Sequence, residues 1–153
     1  MINLESLGLE MIDYDNVEHL SFLKKLMQSK DMSYLWNLTD SDLDNNQNVG
    51  NYLVIGESGN YLGYLNVSDP TEAIYGNTVS VYYAIEESYR GKDYGKRIIS
   101  EVSDWLFNKN NIDCIVAQVD TNNSHSINTL TKAGMVQVHS DDDYSTFIQR
   151  KSK

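Results

Sequence analysis

The strongest constraint on the fold is a long β-type run that leads through a glycine-containing turn into an amphipathic helix. The run extends from Thr78 to Ile85 and is rich in β-branched and aromatic residues. After the turn, apolar residues recur at helical spacing and predict a helix over residues 94–108 (Ile98, Ile99, Val102, Trp105 and Leu106). A strand followed directly by such a helix is typical of an α/β domain.

Weaker patterns on both sides complete the predicted order of elements. Further strands are predicted over residues 9–13, 52–57, 61–68, 112–119, 135–139 and 144–149, and further helices over 16–29, 32–38 and through Ile127 and Leu130. Asn16 is the predicted N-cap of the first helix, and Gly134 ends the last one. Residues 39–50 are rich in Asp and Asn and predict a long connection. We therefore expect a single α/β domain over residues 1–153 with a mixed sheet as its core.

Composition argues against several classes of protein. The formal net charge is −10, so the surplus of Lys and Arg that a nucleic-acid binder needs is missing. No apolar run approaches the roughly 18 residues of a membrane span, and the N-terminus lacks the pattern of a secretory signal. The lone Cys114 is expected to be a buried thiol, which fits a reducing compartment. We expect a cytoplasmic protein with no metal site, in which Asp141 to Asp143 form a turn rather than a set of metal ligands.

The turn between the long strand and the helix has properties that suit a phosphate group. Basic residues are concentrated there (Arg90, Lys92, Lys96 and Arg97). The following helix offers free N–H groups and a partial positive charge at its N-terminus. Gly91 and Gly95 would let the backbone curl around an anion. The spacing excludes both a Walker A loop and a G-x-G-x-x-G loop, so the turn predicts a pyrophosphate site of another kind.

Residues 81–97 resemble the strand, pyrophosphate loop and helix start of the GCN5-related N-acetyltransferase (GNAT) family. The pyrophosphate loop of that family is usually written Gln/Arg-x-x-Gly-x-Gly/Ala. In this sequence Arg90 matches the first position and Gly95 matches the last, while Asp93 replaces the middle glycine. A second segment, from Asn123 to Met135, resembles the family's Asn-x-x-Ser/Ala…Lys-x-Gly-Phe motif. The resemblance implies a mixed, mostly antiparallel central sheet flanked by helices, with acetyl-CoA as the co-substrate.

The resemblance also implies which residues hold acetyl-CoA. Backbone groups of the central strand, where it splays from its neighbour, would bind the pantetheine arm and the thioester (Tyr83, Ala84 and Ile85). The turn would bind the pyrophosphate (Arg90, Gly91, Lys92, Asp93, Tyr94, Gly95 and Lys96). Asn123 and Ser126 would meet the other end of the pantetheine and the leaving sulfur. For the side chains of Tyr83 and His125 we expect ordinary roles, as a strand aromatic packed across the sheet and an exposed turn residue.

The sequence gives the weakest indication of which residues transfer protons. An amine with a pKa of about 10 must lose a proton before it attacks. Many family members place a Tyr seven residues after the motif Asn to protonate the leaving thiolate, and that position is Leu130 here. Ser126, a bound water or solvent would have to substitute for that Tyr. Glu86 and Glu72 are the candidate general bases by location.

The resemblance implies an N-acetyltransferase that moves acetyl from acetyl-CoA directly to a primary amine. The acceptor is a small-molecule or peptide amine; Trp36 and the acids of residues 40–44 are candidates for its site, although a solvated loop is the expected role of those acids. No nucleic acid or membrane partner is expected, and a homodimer stays open. Because Asp93 and Leu130 depart from the family's pattern, a non-enzymatic acyl-CoA-binding module of the same fold is the alternative function.

Overall fold

The computed structural model describes residues 1–27 and 50–152. The predicted helix over 32–38, nearly all of the connection over 39–50, and Trp36 lie outside the described residues. The strands within them are β1 (Ile2–Asn3), β2 (Gly8–Met11), β3 (Asn51–Ile55), β4 (Tyr61–Val67), β5 (Thr71–Ala73), β6 (Gly76–Ile85), β7 (Cys114–Asp120), β8 (Val136–Ser140) and β9 (Tyr144–Arg150). The helices within them are α1 (Val17–Met27), α2 (Tyr94–Lys109) and α3 (Ser124–Lys132), with a short 3-10 turn at Glu87–Tyr89.

The strands form one sheet in the order β1-β2-β3-β4-β6-β7-β9-β8, with β5 paired to the first part of β6. The β6–β7 pair is parallel, and the other pairs among the described residues are antiparallel. The mixed, mostly antiparallel sheet with flanking helices is therefore confirmed.

The helices cover the two faces of the sheet because each has an apolar stripe to bury. Helix α1 begins after Asn16, whose side-chain oxygen accepts the N–H of Glu18 at 2.9 Å, as predicted for an N-cap. Its Leu23 and Leu26 are buried with strand residues of one face. Helices α2 and α3 bury their apolar residues in the other cluster (Ile98, Ile99, Val102, Leu106 and Leu130). Each such side chain contributes roughly 1.5–3 kcal/mol of burial free energy.

Two short strands, β1 and β5, were not predicted. They contain two and three residues, which is too few for an alternating pattern to stand out from a loop. The other strands agree with the prediction to within a few residues at their ends; the long strand, for example, begins at Gly76 rather than Thr78. None of the helices in the part of the chain that the structure describes is long and apolar enough to cross a membrane.

One irregularity of the sheet creates an opening at its centre. Strand β6 pairs with β7 only over Thr78–Ser80 and Cys114–Val116. Beyond this point β6 stays paired to β4 as far as Ile85, while β7 stays paired to β9 as far as Asp120. Each strand keeps its outer neighbour, so β6 and β7 diverge and a cleft opens between them. This is the splay that the resemblance implied.

Candidate functional site

The cleft between β6 and β7 contains a cavity of about 360 Å³. Its walls are residues 81–85 of β6 and residues 117–120 of β7. Arg90 and Gly95 close one end, and helix α3 contributes the polar side chains Asn123, Ser126 and Thr129. The cavity therefore joins the two segments that the sequence singled out, although they lie about 30 residues apart in the chain.

The turn at the mouth of the cavity depends on two left-handed residues. Gly91 has φ +75° and Asp93 has φ +63°, after which α2 begins at Tyr94. A Cβ at Gly91 would meet nothing within 4 Å, so glycine is favoured there by the backbone angle and not by crowding. The Asp93 side chain stands at the start of α2 and makes no capping hydrogen bond to it. This conformation explains why a glycine would suit position 93.

The basic residues of the turn divide into two groups. Arg90 donates from Nε to the carbonyl oxygen of Ile85 at 3.0 Å, which ties the turn to the end of β6. Lys92 and Lys96 are exposed. Arg97, in contrast, donates to Glu57 at 2.6 Å and to the hydroxyl of Ser6 at 2.5 Å. Lys92 and Lys96 therefore contribute exposed positive charge at the turn, Arg90 ties the turn to β6, and Arg97 binds the N-terminal part of the chain.

Gly95 is buried at the contact between α2, α3 and β6. A Cβ at this position would lie 2.9 Å from Cγ2 of Thr129, 3.3 Å from Cδ1 of Ile85 and 3.5 Å from the Tyr83 ring. The first of these distances is shorter than real Cβ atoms show, so a larger residue at position 95 would force the Thr129 side chain or the helix to shift. Position 95 thus has a packing role in addition to its place in the pyrophosphate pattern.

The second segment places two polar residues at the start of α3. Asn123 is the N-cap, and its side-chain oxygen accepts the N–H of Ser126 at 3.2 Å. The Asn123 amide also donates to the Ser126 hydroxyl at 3.0 Å. Leu130, one turn further on, is completely buried in the core and offers no polar group to the cavity. Gly134, with φ +94°, follows the helix in the position predicted for its end.

Tyr83 lies in the wall of the cavity as well as in the packing of the sheet. Its ring packs against the core, as expected, but the side chain also lines the cavity beside Ser126 and Thr129. Burial raises the pKa of Tyr83 to about 12, although hydrogen bonds with Ser126 and Thr129 act in the opposite direction. The phenol is therefore protonated throughout the physiological pH range. Thr129 was missed altogether; its spacing of three residues from Ser126 on a helix was the available signal.

Glu86 lies at the end of β6 but does not line the cavity. Its carboxylate accepts hydrogen bonds from the N–H and the hydroxyl of Ser88, and Nζ of Lys25 lies 3.6 Å from Oε1. The hydroxyl of Ser88, more than the Lys25 charge, lowers the pKa of Glu86. A carboxylate held ionised in this way is suited to attract a cation and is a weak proton acceptor. Glu72 lies on β5, which pairs with the opposite end of β6.

The remaining sequence hypotheses concern side chains away from the cavity centre. His125 is exposed at the edge of the cavity, in agreement with an exposed turn residue. Cys114 is a buried thiol whose pKa is raised by burial. Asp141 accepts the N–H groups of Asp143 and Tyr144, so the acidic run forms the expected turn. Among residues 1–27 and 50–152, no cluster of three or more His, Cys, Asp or Glu side chains could hold a metal ion.

Comparison with known proteins identifies the class to which this fold and cleft belong. The model of the acetyltransferase (GNAT) family matches residues 19–135, so the chain belongs to that family. No curated protein sequence matches the chain.

Solved structures with the same fold include proteins of several specificities. A GNAT-family acetyltransferase from Bacillus anthracis is 16% identical, with a TM-score of 0.73 and coverage of 96% of this chain and 95% of that one. Spermidine N-acetyltransferase from Vibrio cholerae, in complex with CoA and spermine, is 15% identical, with a TM-score of 0.75 and coverage of 95% of both chains. An aminoglycoside acetyltransferase in complex with coenzyme A and kanamycin is 17% identical, with a TM-score of 0.76 and coverage of 95% of both chains.

Proposed function

We propose that this protein is an N-acetyltransferase that transfers acetyl from acetyl-CoA directly to a primary amine. The observation that carries the proposal is the cleft between β6 and β7, which begins where their pairing stops and ends at the glycine-containing start of α2. Such a cleft presents unpaired strand backbone at one end and helix N–H groups at the other. A pantetheine arm with its amides matches the first, and a pyrophosphate matches the second.

The pyrophosphate site would be the turn formed by residues 90–96. Gly91 and Asp93 bend the backbone so that successive N–H groups can converge on one anion, as in other anion-binding turns. Arg90, Lys92 and Lys96 add positive charge, and Arg90 is also fixed to the strand through Ile85. Tyr94 and Gly95 belong to the first turn of α2, where the helix dipole favours a negative group.

The pantetheine and thioester would lie along the edge of β6 that faces β7. No strand in the described part of the chain pairs with this edge from Val81 onward. Backbone groups alternate between the two edges of a strand, and the N–H of Glu86 bonds to Leu62, so Tyr83 and Ile85 present theirs to the open edge while those of Ala84 point toward β4. Asn123 and Ser126 face the same space from α3. Much of the catalytic gain would come from holding the thioester carbonyl next to the amine in the right orientation.

The acceptor would be a cationic amine that approaches from the face of the sheet covered by α1. Glu86 is on this side, beside Lys25 of α1, and it is an anion at neutral pH. The protein as a whole carries a formal charge of −10, which favours the approach of cations. The spermidine and aminoglycoside acetyltransferases of the same fold contain spermine and kanamycin, respectively, in their structures, which supports testing polyamines and aminoglycosides first.

The experiment is an acceptor panel read by mass spectrometry. The protein is incubated with acetyl-CoA and, in turn, polyamines, aminoglycosides, amino acids and peptides with a free N-terminus or lysine. The proposal expects at least one acceptor to gain the mass of one acetyl group, with CoA released in equal amount. Acetyl-CoA binding without transfer to any acceptor would favour the non-enzymatic acyl-CoA-binding module, the alternative that Asp93 and Leu130 keep open.

A further inference from the structure

The end of β6 beside the cavity carries an ion pair in which only one partner is buried. Glu86 directly follows Ile85, the last cavity-lining residue of β6, and is 7% exposed. Lys25 lies on α1; its side chain is 70% exposed, and its Nζ lies 3.6 Å from Oε1 of Glu86. The carboxylate is therefore fixed by the fold, whereas the ammonium reaches it from solvent on a flexible four-carbon stem.

The two oxygens of the Glu86 carboxylate have different surroundings. Oε2 accepts hydrogen bonds from the N–H of Ser88, at 3.1 Å, and from its hydroxyl. Oε1 faces Lys25, and the distance of 3.6 Å is longer than the roughly 2.7–2.9 Å of a charge-assisted hydrogen bond. No other donor within residues 1–27 and 50–152 bonds to Oε1. This oxygen is therefore paired by charge and still able to accept a hydrogen bond.

The Lys25 ammonium is chemically the same group as the protonated amine of the acceptors proposed above. A primary ammonium that is not attached to α1 can approach Oε1 to hydrogen-bond distance with any of its three N–H donors. An exposed ion pair is weak, because solvent screens it and the long side chain loses freedom in it. A free ammonium can therefore displace Lys25 from Oε1, but it has to compete with Lys25 for that oxygen.

We propose that Oε1 of Glu86 binds a primary ammonium group of the acceptor, and that Lys25 occupies this position in the unliganded protein and so lowers the affinity for cationic acceptors. This inference rests on the proposed acetyl transfer and adds to it a residue that sets how tightly the acceptor binds. Glu86 acts here through its negative charge and accepts no proton. Lys25 acts as an internal competitor that the acceptor must displace.

The test measures cation binding at Glu86 directly and needs no acetyl transfer. Ethylammonium chloride is titrated into the whole chain at constant ionic strength, and the amide resonance of Ser88, which donates to Oε2, reports occupation of the carboxylate. Lys25→Met should lower the ethylammonium dissociation constant about fivefold, because displacing an exposed ion pair costs only a small factor. With an acceptor from the panel, KM should fall by a similar factor and kcat should stay the same.

Two controls separate competition at one oxygen from a general change in charge. Lys24→Met removes the same charge from the same last turn of α1, and Lys24 forms no ion pair with any residue that the structure describes. This variant should change the dissociation constant less than about twofold. Tetramethylammonium has the same charge as ethylammonium but no N–H donor, so it should shift the Ser88 resonance much less at equal concentration.

Each contrary result has a distinct meaning. Equal ethylammonium affinity in the wild type and Lys25→Met, or equal gains in Lys25→Met and Lys24→Met, would overturn the role of Lys25 and leave the proposed acetyl transfer standing. An equal response to tetramethylammonium, or no saturable binding even in Lys25→Met, would overturn the ammonium site at Glu86. Failure of every acceptor in the panel to gain acetyl would overturn the proposed transfer, while the ethylammonium titration would still decide whether Glu86 binds an ammonium.

Discussion

Replacing Asp93 should strengthen the binding of acetyl-CoA, because its carboxylate stands at the proposed pyrophosphate site and does not cap the helix that follows. The side chain makes no capping hydrogen bond to α2, and the backbone is left-handed with φ +63°, a conformation that Asp and Asn tolerate and Gly prefers. Two variants, Asp93→Asn and Asp93→Gly, separate the effect of the charge from that of the side chain. Asn removes the charge and keeps the shape, while Gly also removes the side chain.

The expected size of the effect follows from Coulomb's law. A carboxylate about 6 Å from a phosphate charge repels it by about 0.7 kcal/mol at the dielectric constant of water and by more where the protein lowers that constant. For the exposed Asp93 we expect roughly 1 kcal/mol at low salt, which corresponds to about a fivefold change in dissociation constant. Screening over about 8–10 Å at physiological ionic strength should reduce this gain. Asp93→Asn should therefore bind acetyl-CoA about fivefold more tightly at low salt, with a smaller gain at high salt. Asp93→Gly should bind at least as tightly.

Calorimetric titration of both variants and the wild type with acetyl-CoA, at two salt concentrations, gives the dissociation constants that test this prediction. The melting temperatures of the variants provide the control. In Asp93→Gly the relief of left-handed strain raises stability and the greater freedom of the unfolded glycine lowers it, so its melting temperature should stay close to that of the wild type. Weaker binding by Asp93→Asn at low salt would refute the electrostatic reasoning. Weaker binding by Asp93→Gly alone would mean that the side chain organises the empty turn.

Two further variants test the packing and the charge of the site. Gly95→Ala should lower the free energy of unfolding by about 1–3 kcal/mol, because its Cβ meets Cγ2 of Thr129. Thr129→Ser removes that carbon and should restore much of the loss, as measured by urea unfolding. Equal losses with and without Thr129→Ser would refute the contact. Because the pKa of Glu86 is lowered, its contribution to stability is present above about pH 4.5 and disappears as the pH falls through the lower folded value. The free energy of unfolding should therefore fall more between pH 5 and pH 3 in the wild type than in Glu86→Gln, and parallel profiles would contradict the assigned hydrogen bonds.

The parts of the fold that the sequence predicted well are those in which local signals agree with tertiary packing. The apolar stripe of α2 is an example, because Ile98, Ile99, Val102 and Leu106 are all buried where the helical period places them. Asn16 caps α1 because a capping side chain acts on residues two and three positions away. Such interactions can be identified from a short stretch of sequence.

The parts that could not be predicted depend on contacts between distant segments. Arg97 was counted with the basic residues of the turn, but it is bound to Ser6 and Glu57, which are 91 and 40 residues away in the chain. Tyr83 was interpreted as a strand aromatic because alternation assigns a face and does not reveal that β7 has diverged on that side. The left-handed backbone of Asp93 follows from the path of the turn and not from the residue type. The roles of these residues toward acetyl-CoA stay predictions.

The most direct test of the central claim is amide hydrogen exchange of the whole chain with and without acetyl-CoA. If acetyl-CoA binds in the cleft between β6 and β7, exchange should slow in residues 81–97 and at the start of α3, because these backbone N–H groups gain a partner or lose contact with water. Exchange in the hairpin of β8 and β9 beyond the cleft should stay the same. Saturating acetyl-CoA that leaves residues 81–97 unprotected, or that protects a different region, would contradict the account.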